Sequence, residues 1–360
     1  AGNSTTTTTS HAYGVDTTAP DLTIAVDSIT NDNVVNAAES GAAVAVTGAV
    51  NGEFNEGDAV TLMVNDTEYT GAVAADGSWT IAVAGSDLAA TDSLTVSVTT
   101  TDAAGNSTTQ TTTHSYGVDT TAPELTVSVD SITPDNVINA AESGAEMIAV
   151  TGVVAAEAGA ETTVTVTVNG QQYAATVDAA AGTWTVDVAT SDLLADSTVA
   201  VSATSTDAAG NATTTAATHS YGVDTTAPEL TVSVDSVTSD NVINAAESGA
   251  AVDVTGTISG EFNEGDTVTL TVNGTEYTGT VAADGSWTIA VAGSELAGST
   301  SLDVSATTTD AAGNSTTQTT THSYGVDTTA PELAVSVDSV TADNVINIAE
   351  SGAETIAVTG

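Results

Sequence analysis

The residues able to do chemistry in this 360-residue chain are carboxylates: 47 Asp and Glu stand beside four His, with no Lys, Arg or Cys. They recur at fixed spacing. Gly-Val-Asp-Thr-Thr-Ala-Pro begins at Gly14, Gly117, Gly222 and Gly325. A short apolar run follows, then Val-Asp-Ser-(Ile/Val)-Thr-x-Asp-Asn-Val-(Val/Ile)-Asn-x-Ala-Glu-Ser-Gly. The first copy thereby sets Asp16, Asp27, Asp32 and Glu39, and the second Asp119, Asp130, Asp135 and Glu142. The third sets Asp224, Asp235, Asp240 and Glu247, and the fourth Asp327, Asp338, Asp343 and Glu350. A further acid sits in Thr-Asp-Ala-Ala-Gly-Asn, as Asp102, Asp207 and Asp310.

Oxygen donors on short loops, with no basic side chain to neutralise them, suit a hard cation taking six to eight oxygens, and calcium is the cation expected. No Cys cluster serves a soft metal, and one His per repeat makes no zinc site. The competing reading makes these acids turn formers, caps and solubilising charge. Their clustering at the repeat junctions and the missing cations favour calcium. A site with a dissociation constant near ~0.1 mM, in ~10 mM calcium, would contribute roughly 2.7 kcal/mol. That is a large share of one domain's stability.

The same charge balance excludes partners. Phosphate binding rests on Lys and Arg, so nucleic acid is not expected, and anionic membrane surfaces are disfavoured. No disulfide staples the chain, and without lysine no Lys–Asn isopeptide bond can form. No apolar run is long enough to span a membrane, and no signal peptide stands at Ala1. Any export signal or anchor is expected outside this window.

Pro20, Pro123, Pro228 and Pro331 mark the repeat at intervals of 103, 105 and 103 residues. That period exceeds a solenoid unit and fits whole domains with their own cores. The expected division is 16–118, 119–223 and 224–326, flanked by a partial repeat at 1–15 (the last strand of a preceding one) and another at 327–360. The chain reads as a piece of a longer tandem array. Repeats one and three share Gly-Glu-Phe-Asn-Glu-Gly-Asp (Gly52–Asp58, Gly260–Asp266), where repeat two has Ala156-Glu-Ala-Gly-Ala-Glu-Thr162.

The elements that position the acids are strands. In the third repeat Leu230–Val234 and Val268–Val272 alternate strictly, and Asn273-Gly274 signals a hairpin. Further strands are predicted at Val252–Ile258, Glu276–Val281, around Trp287, at Leu302–Thr308 and from the Thr309–Asn314 turn to Tyr324-Gly325. Asn244-Ala-Ala-Glu247 predicts a single helical turn, and helices are otherwise almost absent. Seven short alternating strands in about 100 residues predict an all-β fold: tandem immunoglobulin-like seven-strand β-sandwich domains in a linear array.

Alternation places Trp79, Trp184 and Trp287 inward, as core rather than sugar platforms. The Thr-rich last strands read as β-propensity with a soluble outer face rather than a binding ladder. His11, His114, His219 and His322, two residues before the last-strand Tyr, read as solvated residues near a strand end. In such a sandwich the linker Asp, the loop after the second strand and the final hairpin turn share one pole. The first acidic loop lies at the other, beside the next linker. Asp130, Asp135 and Glu142 are thus expected near Asp224, with Asp310 and Asn314 approaching the same junction.

Val-Asp-Thr-Thr-Ala-Pro, the Asp-Asn-Val-Ile-Asn-Ala-Ala-Glu loop and Thr-Asp-Ala-Ala-Gly-Asn, in that order along the whole chain, resemble the Ig-like extender repeats of giant RTX adhesins. That group includes type I-secreted biofilm adhesins and a bacterial ice-binding adhesin. The resemblance implies a calcium-rigidified stalk on the bacterial cell surface that holds a distal ligand-binding domain away from the cell. The implied calcium ligands fall on Asp119, Asp130, Asp135, Glu142, Asp207 and their counterparts. The chain has no Gly-Gly-x-Gly-x-Asp nonapeptide, so the RTX part itself is not represented. No catalytic constellation stands out, so an enzyme is not expected. The expected function is a structural spacer whose partners are calcium ions and neighbouring repeats. The alternatives are a subunit of a self-assembling extracellular filament and a repeated carbohydrate-binding module.

Overall fold

The computed structural model describes residues 2–360. Alternating β-branched runs become strands because one face of each buries Val, Leu and Ile while Thr and Ser meet water. The first repeat runs β1 (Leu22–Val26), β2 (Val34–Val35), α1 (Ala37–Ser40), β3 (Ala43–Gly52), β4 (Ala59–Val64) and β5 (Thr67–Ala72). It continues with β6 (Ser78–Ala84), α2 (Gly85–Ala89), β7 (Ser93–Thr101), β8 (Ser107–Ser115) and β9 (Gly117–Val118). One antiparallel sheet has the order β1-β3-β6 and the other β5-β4-β7-β8. Seven long strands in two layers enclose a core around Trp79, Leu62, Val96 and Val46, all at most 2% exposed.

Trp79 explains a glycine. Gly48 lies opposite it in the β3–β6 ladder, and a Cβ there would sit 2.4 Å from the Trp79 ring and 2.1 Å from the Ala25 carbonyl. Gly152 and Gly256 stand in the same relation to Trp184 and Trp287. The indole therefore lies across bare backbone.

The second repeat consists of β10 (Leu125–Val129), β11 (Val137–Ile138), β12 (Met147–Ala156), β13 (Glu161–Val168), β14 (Gln171–Ala174), β15 (Thr176–Asp178) and β16 (Thr183–Ala189). After α3 (Thr190–Ala195) come β17 (Thr198–Thr206), β18 (Ala212–Ser220) and β19 (Gly222–Val223). Here the chain changes sheets halfway along one strand. β14 stays on β13, while β15 crosses to β16 and widens the other sheet to β10-β12-β16-β15.

By its contacts the chain forms two compact units: one holds the residues up to Ile138 with Ala145–Val223, the other Asn139–Gly144 with Asp224–Gly360. In the second unit β20 (Leu230–Val234), β21 (Val242–Asn244), β22 (Ala251–Gly260), β23 (Thr267–Val272), β24 (Thr275–Thr280) and β25 (Ser286–Ala292) are followed by α4 (Gly293–Ala297). β26 (Ser301–Thr309), β27 (Ser315–Ser323) and β28 (Gly325–Asp327) complete the third sandwich, whose sheets repeat the first's order. Asn273 and Gly274, both at positive φ (49° and 78°), form the β23–β24 turn read from the sequence.

Two features depart from the sequence reading. The final strand stops at Ser323 instead of running through Gly325, because Tyr324 turns inward and its hydroxyl donates to the Leu296 carbonyl at 2.9 Å. Tyr116 and Tyr221 make the same bond to Leu88 and Leu193. These acceptors lie on α2, α3 and α4, short helices that the alternation pattern missed. The residues after each Tyr then form a two- or three-residue parallel pairing with the first acidic loop: β9 on β2, β19 on β11 and β28 on β21.

Candidate metal centre in the acidic loops

Each sequence-predicted acid already accepts hydrogen bonds, most of them from its own loop. Asp32 Oδ1 accepts from Thr30 Oγ1 (2.8 Å) and the Val34 amide (3.1 Å), and these bonds hold its carboxyl below the usual range. Asp135, Asp240 and Asp343 accept from the equivalent Thr hydroxyl and Val amide, with the same downward shift. Asp27, Asp130, Asp235 and Asp338 accept a Thr hydroxyl 20 or 21 residues on, at Thr47, Thr151, Thr255 and Thr359.

Glu39 closes a capping box on α1. Asn36 Oδ1 takes the Ala38 and Glu39 amides, and Glu39 Oε2 takes the Asn36 amide at 3.0 Å. Glu142, Glu247 and Glu350 do the same for Asn139, Asn244 and Asn347. The fourth copy makes these bonds although no strand follows Asp327 among the described residues, so the loop is encoded locally.

The linker acids Asp16, Asp119, Asp224 and Asp327 each accept the amide two residues on, at 3.0–3.1 Å. In the final hairpin Asp102 Oδ1 takes the Ala104 and Asn106 amides, and Oδ2 takes Asn106 Nδ2 at 2.9 Å. Asp207 and Asp310 hold Asn211 and Asn314 likewise. The Asn side chain, working against desolvation, is the chief cause that holds all three carboxyls below the ordinary range.

Two of these groups meet. In the first repeat Asp16 and Asp102 line one cleft of about 320 Å³ with Glu53, Phe54 and Asn55. In the third, Asp224 and Asp310 share about 340 Å³ with Glu261, Phe262 and Asn263. Glu53 and Glu261 were not among the predicted ligands, and the signal for them was the acidic loop shared by repeats one and three. The first-loop acids do not join them: Asp27, Asp32 and Glu39 do not line the first cleft, and Glu142, expected beside Asp224, does not line the second. Among the described residues no three His, Asp or Glu side chains already gather tightly enough to cage an ion. The donor set is nevertheless all oxygen, and the carboxylates sit on surface loops free of cationic partners.

Amides, rather than carboxylates, stitch the repeats. Within the first unit, Asn211 Oδ1 accepts the Ala37 amide at 2.8 Å, while its Nδ2 donates to the Asp119 carbonyl and to Asp207. Asn36 Nδ2 returns a bond to the Ala209 carbonyl. Helix α1 has one first-turn N–H that its own cap does not reach, and the next repeat supplies the acceptor. In the second unit Asn314 takes the Ala140 amide at 2.7 Å and donates to the Asp224 carbonyl.

The linker between these contacts is itself tied down. Gly117 N donates to Asn33 O (2.9 Å) and Asp119 N to Val35 O (3.1 Å). Asn33, at φ 62°, bonds the Ser115 carbonyl through Nδ2 and His114 Nε2 through Oδ1. His114, His219 and His322 are therefore part-buried latches on this loop, not solvated bystanders.

No protein-family model matches the chain, and no curated protein does. Solved structures do. A Ca2+-stabilized adhesin that helps an Antarctic bacterium reach out and bind ice is 46% identical, with a TM-score of 0.75 over 93% of this chain and 81% of that one. A 1.5-MDa bacterial ice-binding adhesin, described for host cell surface retention, is 43% identical with a TM-score of 0.64, over 87% of this chain and all of that one. A single bacterial immunoglobulin-like domain of the M. primoryensis ice-binding adhesin is 46% identical over 28% of this chain and 99% of that one, with a TM-score of 0.27. No helix among the described residues is long and apolar enough to cross a membrane. The chain belongs to the Ig-like extender domains of large RTX adhesins, a stalk region at the bacterial cell surface.

Proposed function

We propose that this stalk consists of three whole domains, 16–118, 119–223 and 224–326, between parts of two further repeats, and that calcium stiffens its joints. The ions would be held by the linker and hairpin acids, Asp16 with Asp102 and Asp224 with Asp310, each joined by Glu53 or Glu261. The first-loop acids Asp27, Asp32 and Glu39 and their counterparts would contribute at the far end of each domain. The observation that carries the reading is the meeting of linker and hairpin carboxylates on one cleft, in a chain with no cationic side chain except His. The likeness to a Ca2+-stabilized adhesin supports it. Calcium would remove both the repulsion among these carboxylates and the hinge freedom expected of short linkers. The stalk would then project a distal ligand-binding domain from the cell.

The test is calorimetry and small-angle scattering of the full chain, in calcium and in chelator, with and without Asp224→Asn/Asp310→Asn. Both substitutions remove a charge and keep the Oδ1 that accepts the turn's amides, Asp310→Asn giving up in addition the Oδ2 bond from Asn314 Nδ2 in calcium and chelator alike. Calcium is expected to raise the melting temperature and lengthen the particle, with the third repeat's share of the thermal gain lost in the variant. Identical responses in variant and parent would reject these ligands. No response in the parent would reject calcium.

A further inference from the structure

We propose that the second repeat carries a binding slot, absent from the first and third, for one aromatic side chain of a partner polypeptide. In repeats one and three Phe54 and Phe262 pack on the edge of the core beside a glycine. A Cβ on Gly77 or Gly285 would lie 3.1 Å from the Phe Cζ. Leu22 pairs with Gly52 and Leu125 with Ala156, so Phe54 corresponds in register to Ala158. The second repeat puts a methyl where its neighbours put a phenyl ring.

The seat is left open. A Cβ on Gly182, the counterpart of Gly77, would meet only the Val154 carbonyl within 4 Å, at 3.4 Å, and no ring. Val154, Ala156, Ala158, Ala160 and Val177 line a mostly apolar cleft of about 370 Å³ there, which Glu157 and Thr162 also border. That volume is at the lower end for ligand pockets.

The change of sheet maintains the opening. In the first repeat Val73 ties the loop down through Gly57 N→Val73 O and Val73 N→Asp58 O, at 2.8 and 2.9 Å. Val281 does the same in the third with Gly265 and Asp266. In the second, Val177 pairs instead with Trp184 across the other sheet, so the loop from Ala156 to Thr162 is not drawn onto it.

The occupant follows from the sibling repeats, where the same scaffold receives a phenyl ring carried on a polypeptide. Burying one ring in an apolar seat is favourable without any charged contact. The acidic chain disfavours an anionic carrier, so the ring belongs to a neutral or basic segment. This slot does not depend on calcium or on the joints.

The experiment titrates the full chain with N-acetyl-phenylalaninamide, following the methyl resonances of Ala158, Ala160 and Val177. N-acetyl-alaninamide is the control, and toluene the free-aromatic arm. Saturable shifts confined to these methyls, with a dissociation constant of about 1–10 mM, absent with the alanine amide and abolished by Ala158→Phe, are expected. Ala158→Leu, a smaller plug, is the second variant should A158F fail to fold, and it should weaken binding at least several-fold. The proposal is overturned by no shift up to the solubility limit, by equal shifts with the alanine amide, or by shifts that survive both substitutions. Shifts with toluene but not with the phenylalanine amide would overturn the polypeptide source.

Discussion

Replacing Asn106, Asn211 and Asn314 one at a time by Ala isolates the energy of a joint. Asn211 makes three bonds of interest: from Ala37 N to its Oδ1 (2.8 Å), and from Nδ2 to Asp119 O and Asp207 Oδ2 (2.9 Å each). Asn106 makes the corresponding Nδ2 bonds to Asp16 O and Asp102, while its Oδ1 accepts nothing among the described residues. The two substitutions therefore differ by one inter-repeat hydrogen bond and by burial, Asn211 being 4% exposed and Asn106 only half-buried. Ala37 is exposed, so water can take its N–H once the amide is gone, and the loss is nearer a net bond than an orphaned donor. About 0.5–1.5 kcal/mol for that bond, plus tighter packing around Asn211, gives a difference of about 1–2 kcal/mol.

For a repeat of about 100 residues, 1 kcal/mol shifts the melting temperature by about 4–8 °C. Calorimetry of the full chain should show a clearly larger drop for Asn211→Ala than for Asn106→Ala. Asn314→Ala should resemble Asn211→Ala, because Asn314 takes the Ala140 amide in the same way. Amide exchange at Ala37 should quicken in N211A alone. Equal losses for all three variants would mean that the side chain serves only its own turn and that the joint bond is energetically silent.

Other expectations follow from single contacts. Burial, then the charge of Asp92 or Asp196, pushes the Tyr116 and Tyr221 hydroxyls up to about 12. A folded value above the unfolded one of about 10 means stability held below pH 10 and lost as pH rises toward 12. With no Lys or Arg in the chain, ultraviolet phenolate titration should show tyrosine alone titrating there, with unfolding coincident with the late-ionising class. Gly256→Ala should destabilise the third repeat by about 1–3 kcal/mol, because its Cβ would fall 2.4 Å from the Trp287 ring, and chemical denaturation measures this. Asp135 and Asp240, lowered by Val and Thr donors, support their turns above the ordinary carboxylate pKa. That support should vanish as pH falls through their lowered values, with carboxyl NMR midpoints below about 3.9.

The strands, the inward Trp and the sharing of one pole by linker and hairpin acids were legible in the sequence because each depends on local alternation and on topology. Asn273-Gly274 announced its turn, and Asn244 with Glu247 its cap. What stayed hidden needed partners far along the chain. Nothing near Asn211 says that its amide will accept from Ala37, 174 residues away. The short helix Gly85–Ala89 carries no capping side chain, so no residue advertised it. Glu53 stood out only as part of a stretch shared by repeats one and three, until the fold brought it beside Asp16 and Asp102. Ala158 looked featureless because the phenyl ring of Phe54 has no counterpart there.

The parallel pairing of β2 with β9 has a mechanical consequence. Tension entering a repeat at β1 and leaving beyond β9 pulls along strands whose bonds lie across the pull. The Asn33–Gly117 and Val35–Asp119 bonds are then loaded together in shear instead of being peeled one at a time. A tether built of such repeats would resist drag through the simultaneous failure of these bonds, and its yield force would be set by a two- or three-residue clasp at each exit.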